Sequence, residues 1–401
     1  MIGKAHDERM KTTQRALVIG GGIAGPAAAL FLARAGIEPI VLEAYPRSGD
    51  VGGGFQIAPN GLSVLAELGL AAQLLKEGHP CSDMCFRNHH GRVIGVVRTR
   101  DAGPGVNVLR GVVHRILGEE VDRRGIEIRY EKRLTGIAMT GREVVATFED
   151  GSTEVGDFLV GADGVHSRVR ACMMPEAALP RYTGMVSIGG FCSPAMTPPS
   201  DPDDAARLTF IVGPRYQLGY AKMSESRWGW WCHARADEDD RAALMTMPSP
   251  ALGELMIERY QGWSAPAEDL IRSTEVWART PIHDVPTLPT WHCGRVLLIG
   301  DAAHAMSPAA GQGASFALQD AMLFARLAAT AGSSIADAMA RFESLRRRRA
   351  EQMVAQGYAN DQRTLRELGP VAMWMRDRIT MPMFASFIGR ALNEVYTAPI
   401  D

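Results

Sequence analysis

Gly20, Gly22 and Gly25 have the spacing at which a main chain can fold tightly around a pyrophosphate. Gly20 permits the turn, Gly22 lets the backbone approach the phosphates, and Gly25 lets the following helix lie close on the preceding strand. A short β-branched run, residues 16–19, leads into the glycines, and an Ala/Leu-rich stretch, 26–35, follows them. The pattern therefore predicts strand, turn and helix, with the positive helix end directed at phosphate charge. Pro26 suits a helix start, where its missing N–H is not needed. A second apolar run, 39–42, ends in Glu43, close to the ~20-residue distance of an acid that binds a ribose diol. Together these residues specify the ADP moiety of a dinucleotide, FAD or NAD.

Two further strand ends carry similar punctuation. Residues 157–170, Asp-Phe-Leu-Val-Gly-Ala-Asp-Gly-Val-His-Ser-Arg-Val-Arg, read as a buried strand broken at Asp163-Gly164 and running into a polar helix start. Residues 295–304, Arg-Val-Leu-Leu-Ile-Gly-Asp-Ala-Ala-His, read as another strand ending in Gly300-Asp301, with Pro308, Gly311 and Gly313 leading into a helix near Ala314. With the three motifs in this order, the chain resembles the group A flavoprotein monooxygenases, the family of para-hydroxybenzoate hydroxylase, over nearly its whole length. It departs at Ser315, where asparagine is common in the family.

The resemblance implies roles position by position. Asp163 and Gly164 fall in a motif that contacts the flavin side and influences nicotinamide use. Asp301, at a strand's carboxyl end, is placed to accept a ribityl hydroxyl. Gly311 and Gly313 leave the backbone bare for the isoalloxazine ring, and the helix from Ala314 aims its positive end at the flavin pyrimidine. Pro308 would sit near the ring face where oxygen adds, so Pro308, Gly311 and Gly313 are the expected catalytic positions. Gly54 belongs to a loop, residues 52–60, that matches the family. Arg47 reaches toward a pyrophosphate or the nicotinamide, and Arg110 approaches the FAD chain, for which a planar guanidinium is suited.

The implied reaction consumes NADPH or NADH and dioxygen. FAD is reduced, a peroxyflavin forms, and one oxygen atom passes to a small, aromatic organic molecule. Phenols, polyketides, heteroaromatics and alkenes all fall within the family, so epoxidation is the alternative within this class. A non-catalytic flavin-binding sensor is the alternative outside it. Trp228-Gly-Trp230 is similar to the halogenases' Trp-x-Trp but lacks the Ile-Pro that should follow. No Ser-His-Asp order, carboxylate pair or metal-spaced cluster stands out, as befits a protein whose cofactor carries the hard chemistry. His304 reads as a structural hydrogen-bonding group.

The elements that must position these residues form an α/β fold. Its expected parts are a Rossmann-type FAD-binding domain, an interleaved, mainly antiparallel substrate domain, and C-terminal helices. Residues 1–78, 106–180 and 285–401 fall to the first, and 79–105 and 181–284 to the second. Segments 208–212, 217–221 and 228–233 alternate as antiparallel strands do and roof the substrate pocket by resemblance. Tyr220, Trp228, Trp230 and Trp231 either line that pocket or fill plain core. Residues 320–393 read as helices with Pro370 and Pro382 as breakers, and the basic run 346–349 reads as a solvated helix face.

Composition bounds the rest. With 401 residues, 46% of them hydrophobic, the chain can bury a large core without disulfides. A net charge of −2 gives no global field that would draw it to nucleic acid or anionic lipid. Its six cysteines include no CxxC pair, which argues against a metal site or a disulfide framework. No apolar run reaches the ~18 residues of a membrane span, and the polar, mixed-charge start is no secretory signal. These features point to a cytoplasmic monomer or homodimer with no membrane partner.

Overall fold

The computed structural model describes residues 14–46, 53–99, 102–176, 179–193, 201–331, 334–364 and 367–400. Its first sheet has six strands in the order His292–Cys293, Val296–Leu298, Phe158–Gly161, Arg15–Ile19, Glu38–Leu42 and Glu127–Arg129. All pairings are parallel except the short hairpin at the His292 edge. Leu17, Val18, Val41, Leu159, Val160 and Leu297 are fully buried, because helices cover both faces of a parallel sheet and leave it no wet side. Three neighbouring parallel strands, Arg15–Ile19, Phe158–Gly161 and Val296–Leu298, end at the same edge. Each runs straight into one of the glycine-marked turns, so their adjacency gathers the three motifs in space.

The second sheet has seven strands: Thr274–Asp284, Arg181–Cys192, Arg227–Arg235, Gln217–Ser224, Arg207–Val212, Asp83–Asn88 and Val93–Arg98. It is antiparallel throughout except where Arg207–Val212 pairs in parallel with Asp83–Asn88. Strand alternation divides its side chains between two layers. Leu218, Tyr220, Trp228, Trp230 and Cys232 pack with helices Glu238–Thr246, Ser249–Arg259 and Ala267–Arg272. Phe191, Ala221 and Met223, joined by Leu208, Trp231 and Leu109, form the opposite layer. Leu109 lies on the small sheet Gly54–Ile57, Gly105–Leu109 and His79–Cys81, which packs against strand Gln217–Ser224 of the seven-stranded sheet.

From Gly313 onward the chain is helical, as expected: Gly313–Thr330, Ile335–Thr364, Pro370–Met375 and Met381–Thr397. Pro370 opens a helix, but Pro382 breaks nothing. A π-helical turn, Arg376–Thr380, precedes it and carries the helix through. The wider turn gives the proline ring the room over the preceding carbonyls that a regular α-turn denies. Among the described residues no helix is long and apolar enough to cross a membrane.

Candidate active site

The first glycine turn is fixed from below by neighbouring backbone. Gly20 has φ +109°, a conformation closed to side-chain-bearing residues, and a Cβ on it would lie 2.5 Å from the Ala162 carbonyl oxygen and 2.9 Å from Asp163 Cα. A Cβ on Gly25 would overlap the Gly20 carbonyl oxygen, whereas one on Gly22 would meet nothing within 4 Å. The three glycines thus divide their work: two admit backbone neighbours, and the third faces open space at the start of helix Ala24–Arg34. Glu43 binds this loop through its carboxylate, which accepts the Gly21 amide and, at 2.9 Å, the Tyr45 amide.

The Asp-Gly turn lies directly beside it. The Asp163 carboxylate accepts the Ser167 hydroxyl and the amides of Arg168 and Val169 at 2.7 and 3.1 Å, so it caps its own helix rather than pointing outward. Burial pushes its carboxyl up, against the pull of those donors. Gly164 follows with φ +79°. Arg170, almost fully buried, ties this turn to the next motif: its guanidinium donates to the carbonyls of Val165 at 2.6 Å and Ala302 at 2.8 Å.

The Gly-Asp turn is held by Asp320, fully buried on helix Gly313–Thr330. Asp320 accepts the Gly300 amide at 2.9 Å, His304 Nε2 at 2.6 Å and Arg346 Nε at 2.7 Å. Burial pushes the Asp320 carboxyl up, but the His304 and Arg346 charges outweigh it and leave it below its ordinary range. His304 is therefore tied into structure. Arg346 overturns the reading of 346–349 as a solvated face: it is buried, and its guanidinium lies 4.8 Å from the Phe316 ring centre. A single helix face is not uniform when a buried carboxylate waits opposite one of its residues.

Asp301 itself points the other way. Its side chain is exposed and, among the described residues, accepts no hydrogen bond. The protein mass around it still pushes its carboxyl up, opposed by His304 and Arg110. Arg110, whose charge is felt at the Asp301 carboxyl, is likewise exposed, its amide anchored to the Gly53 carbonyl at 2.9 Å. Pro308, Gly311 and Gly54 are exposed as well, and Gly313 and Ala314 are half-buried. Gly311 is left-handed, with φ +65°, and ends the short turn Pro308–Ala310. The following helix begins at Gly313, one residue before Ala314, and a Cβ on Gly313 would lie 3.9 Å from Asp301 Oδ1. Arg47 lies outside the described residues.

The layer packed beside Gly54 is apolar. A Cβ on Gly54 would touch the Phe191 ring at 3.1 Å and Met223 Sδ at 3.2 Å, which brings the inner layer of the seven-stranded sheet up to the loop. Of the four aromatics weighed for the pocket, Trp231 alone lies in that layer, 5.9 Å from Phe210 in an edge-on contact. Tyr220, Trp228 and Trp230 belong to the opposite core, where the Tyr220 hydroxyl donates to Asp204 at 2.6 Å and Trp230 Nε1 to Thr274 at 2.8 Å. Period-two alternation alone separates Trp231 from Trp230. Sequence reading missed Phe191 and Met223, which carry no motif. It also left Ser315 unassigned: the Ser315 hydroxyl accepts the Ala58 amide at 3.1 Å, and a Cβ on Gly61 would lie 2.6 Å from it, so a small residue is what lets the two helices approach.

These residues fit FAD on three observations: the space above Gly22, the exposed Asp301 and Arg110, whose side chains pair with nothing among the described residues, and an exposed left-handed Gly311 before a helix N-terminus. Comparison with known proteins agrees. The family model described as "FAD binding domain" matches residues 13–357. The chain is 30% identical to aurachin C monooxygenase/isomerase of Stigmatella aurantiaca, over 93% of this chain and 95% of that protein. It is 30% identical to 6-hydroxynicotinate 3-monooxygenase of Pseudomonas fluorescens, over 86% and 90%. Its fold matches the crystal structure of Klebsiella pneumoniae HpxO complexed with FAD and uric acid, with a TM-score of 0.82, 25% identity and 96% of each chain covered. The chain therefore belongs to the FAD-binding-domain family and is an FAD-dependent monooxygenase.

Proposed function

We propose that this enzyme hydroxylates a small aromatic molecule in the cytoplasm, using NADH or NADPH and dioxygen, as a monomer or homodimer. The observation that carries the reading is the pairing of the exposed Asp301 beside Gly313 with the apolar layer of Phe191, Met223 and Trp231 beside Gly54. Relatives that act on 6-hydroxynicotinate or bind uric acid support a planar, ring-bearing substrate. In this reading, residues 1–78, 106–180 and 285–401 hold the cofactor, and 79–105 and 181–284 shape the substrate chamber.

When bound, FAD would take two electrons from the nicotinamide and activate dioxygen, one atom of which passes to the substrate while the other leaves as water. The protein's part is to bind, orient and keep the site dry. Gly20, Gly22, Gly25 and the start of helix Ala24–Arg34 receive the pyrophosphate, with Glu43 at the adenosine ribose. Arg110 offsets phosphate charge, and the Asp301 carboxylate accepts a ribityl hydroxyl. The N-terminus at Gly313 and Ala314 stabilises negative charge on the flavin pyrimidine. Gly311 and Gly313 leave the backbone bare for the ring, and Pro308 lies at the ring face where oxygen adds. The apolar layer excludes water, which would otherwise release oxygen unproductively as peroxide.

The test is a panel of phenols, heteroaromatics and alkenes, followed by nicotinamide oxidation and product mass. A ring-bearing substrate that stimulates oxidation and gains one oxygen atom is the expected result. Turnover confined to alkenes would replace hydroxylation with epoxidation, and no stimulated oxidation by any class would contradict the proposal.

A further inference from the structure

The C-terminal helices present a face that the reaction does not use. Fifteen large hydrophobic residues are exposed among those described, and seven of them, Val371, Trp374, Met375, Ile379, Met383, Phe384 and Phe387, lie in one stretch of the last two helices. Five of these, Val371, Met375, Ile379, Met383 and Phe387, recur at every fourth position, so they form a single ridge across the π-helical turn. The ridge is not the product of an undocked helix. The opposite side is pinned to the seven-stranded sheet: Arg376 donates to the Gly213 carbonyl at 2.8 Å, Asn88 donates to Asp377 at 2.8 Å, Ala385 is buried, and a Cβ on Gly389 would lie 2.8 Å from the Arg98 carbonyl oxygen.

Charge decides what covers the ridge. Arg378 and Arg390 flank it, both exposed, and among the described residues neither pairs with a carboxylate. Asp377 is engaged by Arg376 and Asn88. A second copy would bring the same two unpaired cations against a single exposed carboxylate, Glu394, one turn beyond Arg390, so positive charge would be left over on both copies. An anionic lipid surface supplies both the missing negative charge and an apolar layer for the aromatic side chains. We propose that this face seats the enzyme on the surface of an anionic bilayer, as an interfacial rather than a spanning contact. The near-zero net charge of the chain does not oppose this, because such attraction acts within about a Debye length, ~10 Å, of the local patch.

Vesicle co-sedimentation of the full-length, FAD-loaded protein tests the proposal, using phosphatidylglycerol–phosphatidylcholine vesicles against phosphatidylcholine alone. Binding to the anionic vesicles about tenfold stronger than to the neutral ones, and weakened by salt, is expected. Arg378→Gln with Arg390→Gln should erase the difference between the two vesicle types. Met383→Ser with Phe387→Ser should abolish binding at an unchanged melting temperature; should that variant unfold, the arginine variant alone decides. Absence of binding to either vesicle would overturn the proposal. So would a concentration-dependent dimer in lipid-free buffer that Met383→Ser with Phe387→Ser dissociates, since the ridge would then be covered by a second copy.

Discussion

Gly25 faces the carbonyl oxygen of Gly20 so closely that a Cβ at residue 25 would occupy the same space, while Gly22, three residues away, faces nothing. The two glycines are therefore separable by experiment. Gly25→Ala should lower stability by about 1–3 kcal/mol or more through forced backbone displacement. Gly22→Ala should leave the stability of the FAD-free protein within about 0.5 kcal/mol while weakening FAD binding about tenfold, because the added methyl enters space reserved for the pyrophosphate. Urea melts and fluorescence titration with FAD read the two effects, and equal behaviour of the two variants would contradict the assignment.

Trp230 and Trp231 are adjacent in sequence and opposite in duty. Trp230→Ala opens a cavity in the helix-covered core and removes the donor to Thr274, so stability should fall by about 3–5 kcal/mol. Trp231→Ala should cost less stability, since its ring is only partly buried, and should raise KM for the substrate and increase peroxide release. Chemical denaturation and peroxide assays separate them.

Asp361 gives the protein a pH signature. It is fully buried near the end of helix Ile335–Thr364, and among the described residues neither carboxylate oxygen accepts a hydrogen bond that meets ordinary geometry; the Ser307 hydroxyl only partly offsets its burial. Burial, with repulsion from Asp284, raises its carboxyl from 3.8 to about 6. A raised acid in the folded state means the folded chain holds the proton more tightly. The site therefore imposes no penalty below about pH 4, and stability declines as pH rises through about 6. Asp361→Asn should accordingly stabilise the protein by about 1–3 kcal/mol near pH 8 and by much less near pH 4. Urea melts at the two pH values check this, and a gain independent of pH would contradict it.

The cofactor side of the fold was legible because glycine spacing is a backbone requirement that survives any change of neighbours. Gly20, Gly22 and Gly25 announce their strand and helix from local sequence alone, and the three turns meet because their strands are parallel neighbours. Arg346 was not legible. Its partner Asp320 lies on another helix, and nothing in the run 346–349 marks which arginine turns inward. Asp361 likewise reads as one more polar residue on a long helix until Ser307 and Asp284 are seen against it. Pro382 misled because proline's effect depends on the width of the turn before it. The division of Trp228 and Trp230 from Trp231 was available from alternation, but which face meets the cleft is a property of how two sheets pack.

The most direct test of the account is the visible spectrum of the purified protein after gel filtration, with and without added FAD, for the wild type and Asp301→Ala. The wild type should be yellow and hold about one FAD per chain, and Asp301→Ala should fold normally yet lose most of that colour on filtration. A folded wild-type protein that stays colourless in excess FAD, or an Asp301→Ala variant with undiminished FAD content and activity, would contradict it.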